Sequence, residues 1–274
     1  MAFKAKLILQ DGTTFEGTGF GAKTSNSGEV VFATGMVGYD LSLTDPSYKG
    51  QILTFTYPLI GNWGVPPKEK LESTQIHVSG LVISNLTTKP SHWESQKTLD
   101  AWMKEEGIPG IYGIDTRRLT QKLRETGVML GKIINSEKDV KIEDPNLRNL
   151  VEEVSTPKVK IYKGGKLKIG LLDCGAKENI TRCLTKRGAT VYRLPWNYDP
   201  FENGLELDGL MISNGPGDPK MAKESIEIIK KSLSKKLPTF GICLGNQLLA
   251  LAAGGDTYKL KFGHRAQNQP TIQV

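Results

Sequence analysis

The chain has 274 residues, an ordinary apolar share of 38% and a formal net charge of +7. Its length allows two cores at roughly 150 residues per domain, and Lys and Arg are interleaved with Asp and Glu, so the excess charge reads as solvated surface and not as a nucleic-acid footprint. No apolar run approaches the ~18 residues that a membrane helix needs, and MAFKAKLILQDG runs straight into a β-prone stretch without a transit or signal pattern, so the expectation is a cytoplasmic chain with no membrane partner.

Taken in order, Lys4 to Gln10 and Thr14 to Thr18 are β-prone runs joined by Asp11-Gly12, a hairpin signal. Glu29 to Thr34, Gln51 to Tyr57 and Gln75 to Ser84 predict further strands. Leu99, Trp102 and Met103 give helical spacing within Ser95 to Glu106, and Asp115 predicts an N-cap for a helix over Thr116 to Glu125. Val128 to Ile134 closes this half as a strand, which makes residues 1–134 an α+β domain. Residues 135–166 are polar and basic, with Pro145, Pro157 and Gly164-Gly165, and predict the inter-domain connection. From 167 to 274 the pattern changes. The buried-looking runs LKIGLLDCG, ATVYRLP, LDGLMISNGPG and LPTFGICLG alternate with helical stretches at Glu178 to Arg187 and Pro219 to Leu233. That alternation predicts α/β architecture with a doubly wound, mostly parallel sheet, whose ligands sit beyond the carboxyl ends of the strands.

Pro238 to Leu251, PTFGICLGNQLLAL, carries the chemistry. An apolar run reaches Cys243 between Gly241 and Gly245, and a helix-forming stretch follows, so the segment predicts strand, sharp turn and helix with the cysteine at the apex. A helix starting there points its dipole and unpaired N–H groups at the sulfur and favours thiolate, the reacting form. Gly-x-Cys-x-Gly alone leaves two readings open, a nucleophile or a buried core cysteine. Three cysteines, Cys174, Cys183 and Cys243, are too few and too unevenly spaced for a disulfide framework or a zinc site, and a reducing compartment is the default.

GICLGNQLLA resembles the nucleophile motif of class I (triad) glutamine amidotransferases, with Asn246 where the family usually has His, and SNGPGDP at Ser213 to Pro219 resembles the same family's oxyanion-side loop. In the first half, GEVVFATGMVGYDLSLTDPSYKGQILTFTYPLIGNWG at Gly28 to Gly64 and IYGIDTRRLTQKLRETGVMLGKI at Ile111 to Ile133 resemble the N-terminal domain on the small, glutaminase subunit of carbamoyl-phosphate synthetases. The resemblance implies that Cys243 attacks the amide of L-glutamine. It implies that the N–H of Leu244 and a backbone N–H at Gly215 or Gly217 form the oxyanion hole, and that Ser47, from the other domain, and Gln247 line the glutamine pocket. Taken without the resemblance, Gly215-Pro216-Gly217 is a β-to-α turn, Ser47 a turn hydroxyl capping its own loop, and Gln247 a solvated residue on the first helical turn. Lys177 and Asn179 are expected to be surface groups.

The resemblance further implies a synthetase partner, either a large subunit or a fused domain, that condenses the ammonia with bicarbonate using ATP and Mg. This chain itself shows no GxxxxGK[ST] and no paired-carboxylate metal site, so no cofactor and no metal are expected on it. The carbamoyl phosphate would serve arginine or pyrimidine synthesis, and the resemblance does not choose between them. Of the histidines, His77 falls in a predicted strand, His92 in a polar loop, and His264 in a family segment that does not hold the catalytic histidine. In the family the triad His and Glu form a His-x-Glu segment well downstream, whereas this sequence ends at Val274. The expectation is a truncated small subunit with a nucleophile but no base, slow on glutamine and with an uncovered sheet edge. The competing readings are a different class I amidotransferase and a non-catalytic, partner-binding subunit.

Overall fold

The computed structural model describes residues 3–261 and Gly263. Two compact units emerge. Among the described residues, unit 1 takes in those up to Thr44, Gly50–Pro145 and those from Leu260, and unit 2 takes in Asp45–Lys49 and Asn146–Lys259. The short piece Asp45–Lys49 therefore belongs to the second unit although chain order puts it inside residues 1–134. The stretch expected to be a connection is divided at Pro145, and its second part contributes a helix and a strand to unit 2.

Unit 1 is built on a closed barrel. Its strands are β1 (Phe3–Leu9), β2 (Thr14–Gly21), β3 (Asn26–Ala33), β4 (Gln51–Phe55), β6 (Gly80–Ile83), β8 (Pro109–Tyr112) and β9 (Met129–Ile134), in the order β1-β2-β8-β6-β4-β3-β9, while β5 (Leu59–Ile60) and β7 (Asn85–Leu86) form a separate two-stranded sheet. The Asp11-Gly12 hairpin forms as predicted, with Leu7 opposite Phe15 and Gly12 at φ 85°. β9 pairs antiparallel with both β1 and β3 and closes the ring. The helices are α1 (Tyr39–Leu43), α2 (Leu99–Glu105) and α3 (Thr116–Thr126). α2 starts later than its periodicity suggests because the Thr98 hydroxyl caps it, accepting from the Ala101 N–H at 3.2 Å. Asp115 caps α3 as predicted, accepting from Arg118 N–H at 2.9 Å. Leu119 and Leu123 of α3 join Leu7, Leu9, Val30, Ile52, Val82 and Ile133 in one apolar core. The strand expected over Gln75 to Ser84 is confined to its last four apolar residues, all buried.

Unit 2 is an open five-stranded sheet of β10 (Lys160–Tyr162), β11 (Leu167–Asp173), β12 (Ala189–Pro195), β13 (Gly209–Ile212) and β14 (Thr239–Gly241), in the order β10-β12-β11-β13-β14. All pairings are parallel except β10 with β12. Helices α4 (Leu150–Val154), α5 (Glu178–Lys186), α6 (Lys223–Ser234) and α7 (Leu244–Ala252) complete it. Adjacent residues along a strand face opposite sides, and the cores show it. Leu172, Leu210 and Ile212 pack with Ile228 and Ile229 of α6 and Leu244 and Leu248 of α7, whereas Leu171, Val191 and Met211 pack with Ile180 and Leu184 of α5. Both faces are covered, which is the doubly wound arrangement the alternation predicts. β10 and β14 are the two edge strands among the described residues, and Phe240 of β14 is 63% exposed. No helix among the described residues is long and apolar enough to cross a membrane.

Candidate functional site

β14 ends at Gly241 and α7 begins at Leu244, so Ile242 and Cys243 alone make the turn. Cys243 has φ 53° and ψ −110°. Among the described non-glycine residues only Lys236 and Cys243 have positive φ. For an L-residue this backbone is strained, at a cost on the order of 1–3 kcal/mol, and it persists because its surroundings leave no alternative. A Cβ on Gly241 would stand 2.3 Å from the Gly245 carbonyl, and one on Gly245 would stand 2.4 Å from the Ile212 carbonyl oxygen. The missing side chains let the turn fold on itself and seat α7 on the carboxyl end of β13. The Ile242 N–H donates to Ile212 O at 3.0 Å, and the Asn246 and Gln247 N–H groups donate to Cys243 O at 3.0 and 3.2 Å. The N–H of Leu244 finds no backbone acceptor among the described residues. Cys243 itself is exposed, which separates it from Cys174, whose thiol is fully buried and pushed up to about 12 by that burial and by the neighbouring Asp173 charge.

The glycine loop follows β13. A Cβ on Gly215 would lie 2.0 Å from the Cys174 carbonyl oxygen and 2.7 Å from the Leu244 side chain, so this loop is pressed against the root of α7. Gly217 has φ 81° and stands beside Leu150. Asn214, only 4% exposed, organises the loop's entrance. Its amide donates to the Ser47 hydroxyl at 2.9 Å and to Asp45 Oδ1 at 3.2 Å, and its oxygen accepts the Lys177 N–H at 3.2 Å. Asp45 Oδ1 accepts from the Ser47 N–H at 2.9 Å, so Asp45 is the residue that caps this turn and the Ser47 hydroxyl is left to Asn214. The Lys177 side chain, 36% exposed, pairs with Asp45, its ammonium 2.8 Å from Oδ2.

The structure therefore brings Ser47 to the glycine loop and Gly215 to Leu244 and the elbow. Gln247 is exposed on the first turn of α7, with no side-chain hydrogen bond to this group among the described residues. Three residues central to the arrangement are not evident from the motifs. Asn214 sits inside SNGPGDP and is recognisable only by its partners. Asp173 and Arg193 are buried at 0% and 7% exposure and joined at 2.6 Å from Nε to Oδ2. Their signal is a charged residue within an apolar strand run, LLD and YRLP. Neither described histidine lies in unit 2. His77 is buried in unit 1 and exposed His92, also in unit 1, accepts the Glu94 N–H at 3.2 Å on Nδ1, while His264 lies outside the described residues.

Both halves of the chain match known families. Residues 7–133 match the family described as carbamoyl-phosphate synthase small chain, CPSase domain, and residues 170–273 match glutamine amidotransferase class-I. The carbamoyl phosphate synthase small chain of Pyrococcus furiosus is 49% identical, over 97% of this chain and 77% of its own length. The arginine-specific small chain of Saccharomyces cerevisiae is 46% identical, over 100% of this chain and 71% of its own. The multifunctional protein CAD of Squalus acanthias is 51% identical over 98% of this chain, which spans 12% of that relative's length. With such identity running through both units, the chain belongs to the carbamoyl-phosphate synthase small-chain family.

Proposed function

We propose that this chain carries the glutamine-hydrolysing half-reaction of a carbamoyl-phosphate synthase, with Cys243 as nucleophile. The strained backbone of Cys243 at a strand-turn-helix elbow carries the reading, because a buried core cysteine needs no such conformation and Cys174 shows none. The thiolate attacks the side-chain amide carbon of glutamine, and the carbonyl electrons move onto oxygen. The tetrahedral intermediate collapses with loss of ammonia, and water hydrolyses the glutamyl thioester. The Leu244 N–H and a backbone N–H at Gly215 or Gly217 stabilise the oxyanion, where one lost donor typically costs about 10²–10³ in rate. Ser47, held by Asn214, and Gln247 contact the glutamine.

The Cys243 thiol needs a base to take its proton, and the departing ammonia needs that proton returned by the same group acting as general acid. By the family resemblance this is a histidine of a downstream His-x-Glu segment. His92-Trp93-Glu94 has that spelling but belongs to unit 1, where Glu94 pairs with Lys70. Turnover is assigned to the protein acting with its synthetase partner, which supplies the ATP and Mg chemistry. Relatives named as small chains support a separate partner, and the multifunctional relative supports a fused one.

The test is labelling of the full-length protein by a chloroketone analogue of glutamine. Label on Cys243 that glutamine blocks, together with a loss of glutamine hydrolysis by about 10³-fold or more in Cys243→Ala, is the expected result. Glutamine hydrolysis that survives Cys243→Ala, or labelling that glutamine does not block, sinks it.

A further inference from the structure

We infer that Asp173 and Arg193 are positioning residues that hold the oxyanion side of this site, an inference that rests on the function proposed above. Asp173 ends β11, and three of the four bonds to its carboxylate come from the loop after it or from Arg193, which spans that loop, the fourth coming from the segment after α4. Oδ1 accepts the N–H of Gly175 at 2.9 Å and of Ala176 at 2.7 Å, and Oδ2 accepts the N–H of Thr156 at 2.9 Å and Arg193 Nε at 2.6 Å. A carboxylate has about four lone-pair sites, so this one is fully used.

Arg193 closes the same loop from outside. Its second terminal nitrogen reaches the Ala176 carbonyl at 3.3 Å, and the other pairs with Glu178 on the first turn of α5. One planar guanidinium thus spans the last residue of β11, the third residue of the loop and the helix beyond, a task that the single point charge of lysine does not reproduce.

The loop is in turn the bed of the glycine loop. The Cys174 N–H donates to Ser213 Oγ at 2.9 Å, the Lys177 N–H donates to Asn214 Oδ1 at 3.2 Å, and the Cys174 carbonyl sits where a Gly215 side chain would be. Gly215 then abuts Leu244, the residue after the nucleophile. Four consecutive links, each a hydrogen bond or a close approach, run from Arg193 through Asp173, residues 174–177 and residues 213–215 to the elbow. A buried ion pair is weak evidence for stability, since apolar replacements of similar volume are often neutral. The directed geometry of this one is better accounted for by the loop it aims.

The experiment follows inactivation of the full-length protein by the glutamine chloroketone at saturating reagent, in wild type, Arg193→Met and Arg193→Lys. The expected result is a fall in the limiting inactivation rate of about tenfold in Arg193→Met, with a smaller fall in Arg193→Lys and about one label still incorporated per chain. A merely structural role lowers the labelled fraction as molecules unfold but leaves the limiting rate of the folded remainder alone. A limiting rate within twofold of wild type in both variants overturns the inference, whatever the labelled fraction. Should Arg193→Met not fold, Arg193→Lys decides by the same criterion. Wild type that the chloroketone does not label overturns the glutamine reading, and this inference with it.

Discussion

The two sheets treat their edges in opposite ways. In unit 1, β9 pairs with both β1 and β3, the ring closes, and Gly19 and Gly110 make room for aromatic rings. A Cβ on Gly19 would meet the Phe3 ring at 2.0 Å, and one on Gly110 the Phe20 ring at 2.4 Å. In unit 2 the sheet stays open and parallel, and its carboxyl ends deliver Asp173, Ser213 and Cys243 in turn to one side. There Gly215, Gly241 and Gly245, the glycines of the site, face backbone. Closure uses up strand edges to make a core, whereas an open parallel sheet gathers loop after loop at one rim, where chemistry can be assembled.

The largest expected effect breaks that contrast at its sharpest point. Gly245→Ala places a methyl 2.4 Å from the Ile212 carbonyl oxygen, a backbone atom that cannot swing away. We expect a loss of about 3 kcal/mol or more and loss of chloroketone labelling. Gly19→Ala meets a partly exposed aromatic ring, which can rotate aside, and should cost about 1 kcal/mol with labelling intact. Urea unfolding of the two variants measures both. Equal destabilisation would mean that the glycines of the two units do the same work.

What is legible from the residues follows the same division between near and far. The Asp11-Gly12 hairpin, the Asp115 cap, the parallel strands of unit 2 and the elbow itself depend on residues a few positions apart, and their side chains declare them. Barrel closure brings Leu9 against Gly131, and Asn214 meets Ser47 across 167 positions, distances at which no local pattern speaks. β8 begins Pro109-Gly110, a pair that reads as a turn, and becomes a strand because β2 and β6 flank it. Asp173 and Arg193 are individually unremarkable charges, and only their pairing inside the sheet makes burial tolerable.

Two carboxylates sharpen the comparison through pH. Asp40 of unit 1 is 7% exposed, and burial pushes its carboxyl above the usual 3.8, with Trp63 Nε1 donating at 3.3 Å. At Asp199 of unit 2 burial also disfavours the charge, but Lys231 at 2.6 Å and the N–H groups of Phe201 and Glu202 outweigh it and hold the carboxyl below 3.8. The signs are opposite. The folded state binds the Asp40 proton more tightly than the unfolded chain does, so stability is lost as pH rises above 3.8 through the folded value. Asp40→Asn should therefore gain on wild type at pH 7, and the gain should vanish in acid. Ionised Asp199 contributes stability above 3.8 that is lost as pH falls through its folded value. Asp199→Asn should be the less stable at pH 7 and converge on wild type near pH 2. Urea midpoints at the two pH values read both, and parallel pH dependences in the two variants would contradict the assignment.

The smallest effect concerns the other non-glycine residue with positive φ. Lys236 follows α6 at φ 54°, where its N–H donates to Leu233 O at 2.9 Å and the Leu237 N–H donates to Ser232 O at 3.1 Å. This is the Schellman ending, which favours glycine. α2 ends the same way at Gly107 and α7 at Gly254, with φ 73° and 92°. An exposed lysine in this place gains nothing from its side chain that offsets the left-handed backbone, unlike Cys243, whose strain presents a nucleophile. Lys236→Gly should thus stabilise the protein by about 0.5–1 kcal/mol, the left-handed cost less the extra entropy of glycine, and leave the chloroketone rate unchanged. Cys243→Gly should gain stability of similar size and abolish labelling. If Lys236→Gly destabilises while Cys243→Gly does not, strain at the elbow is being relieved and strain at the helix end is not there to relieve.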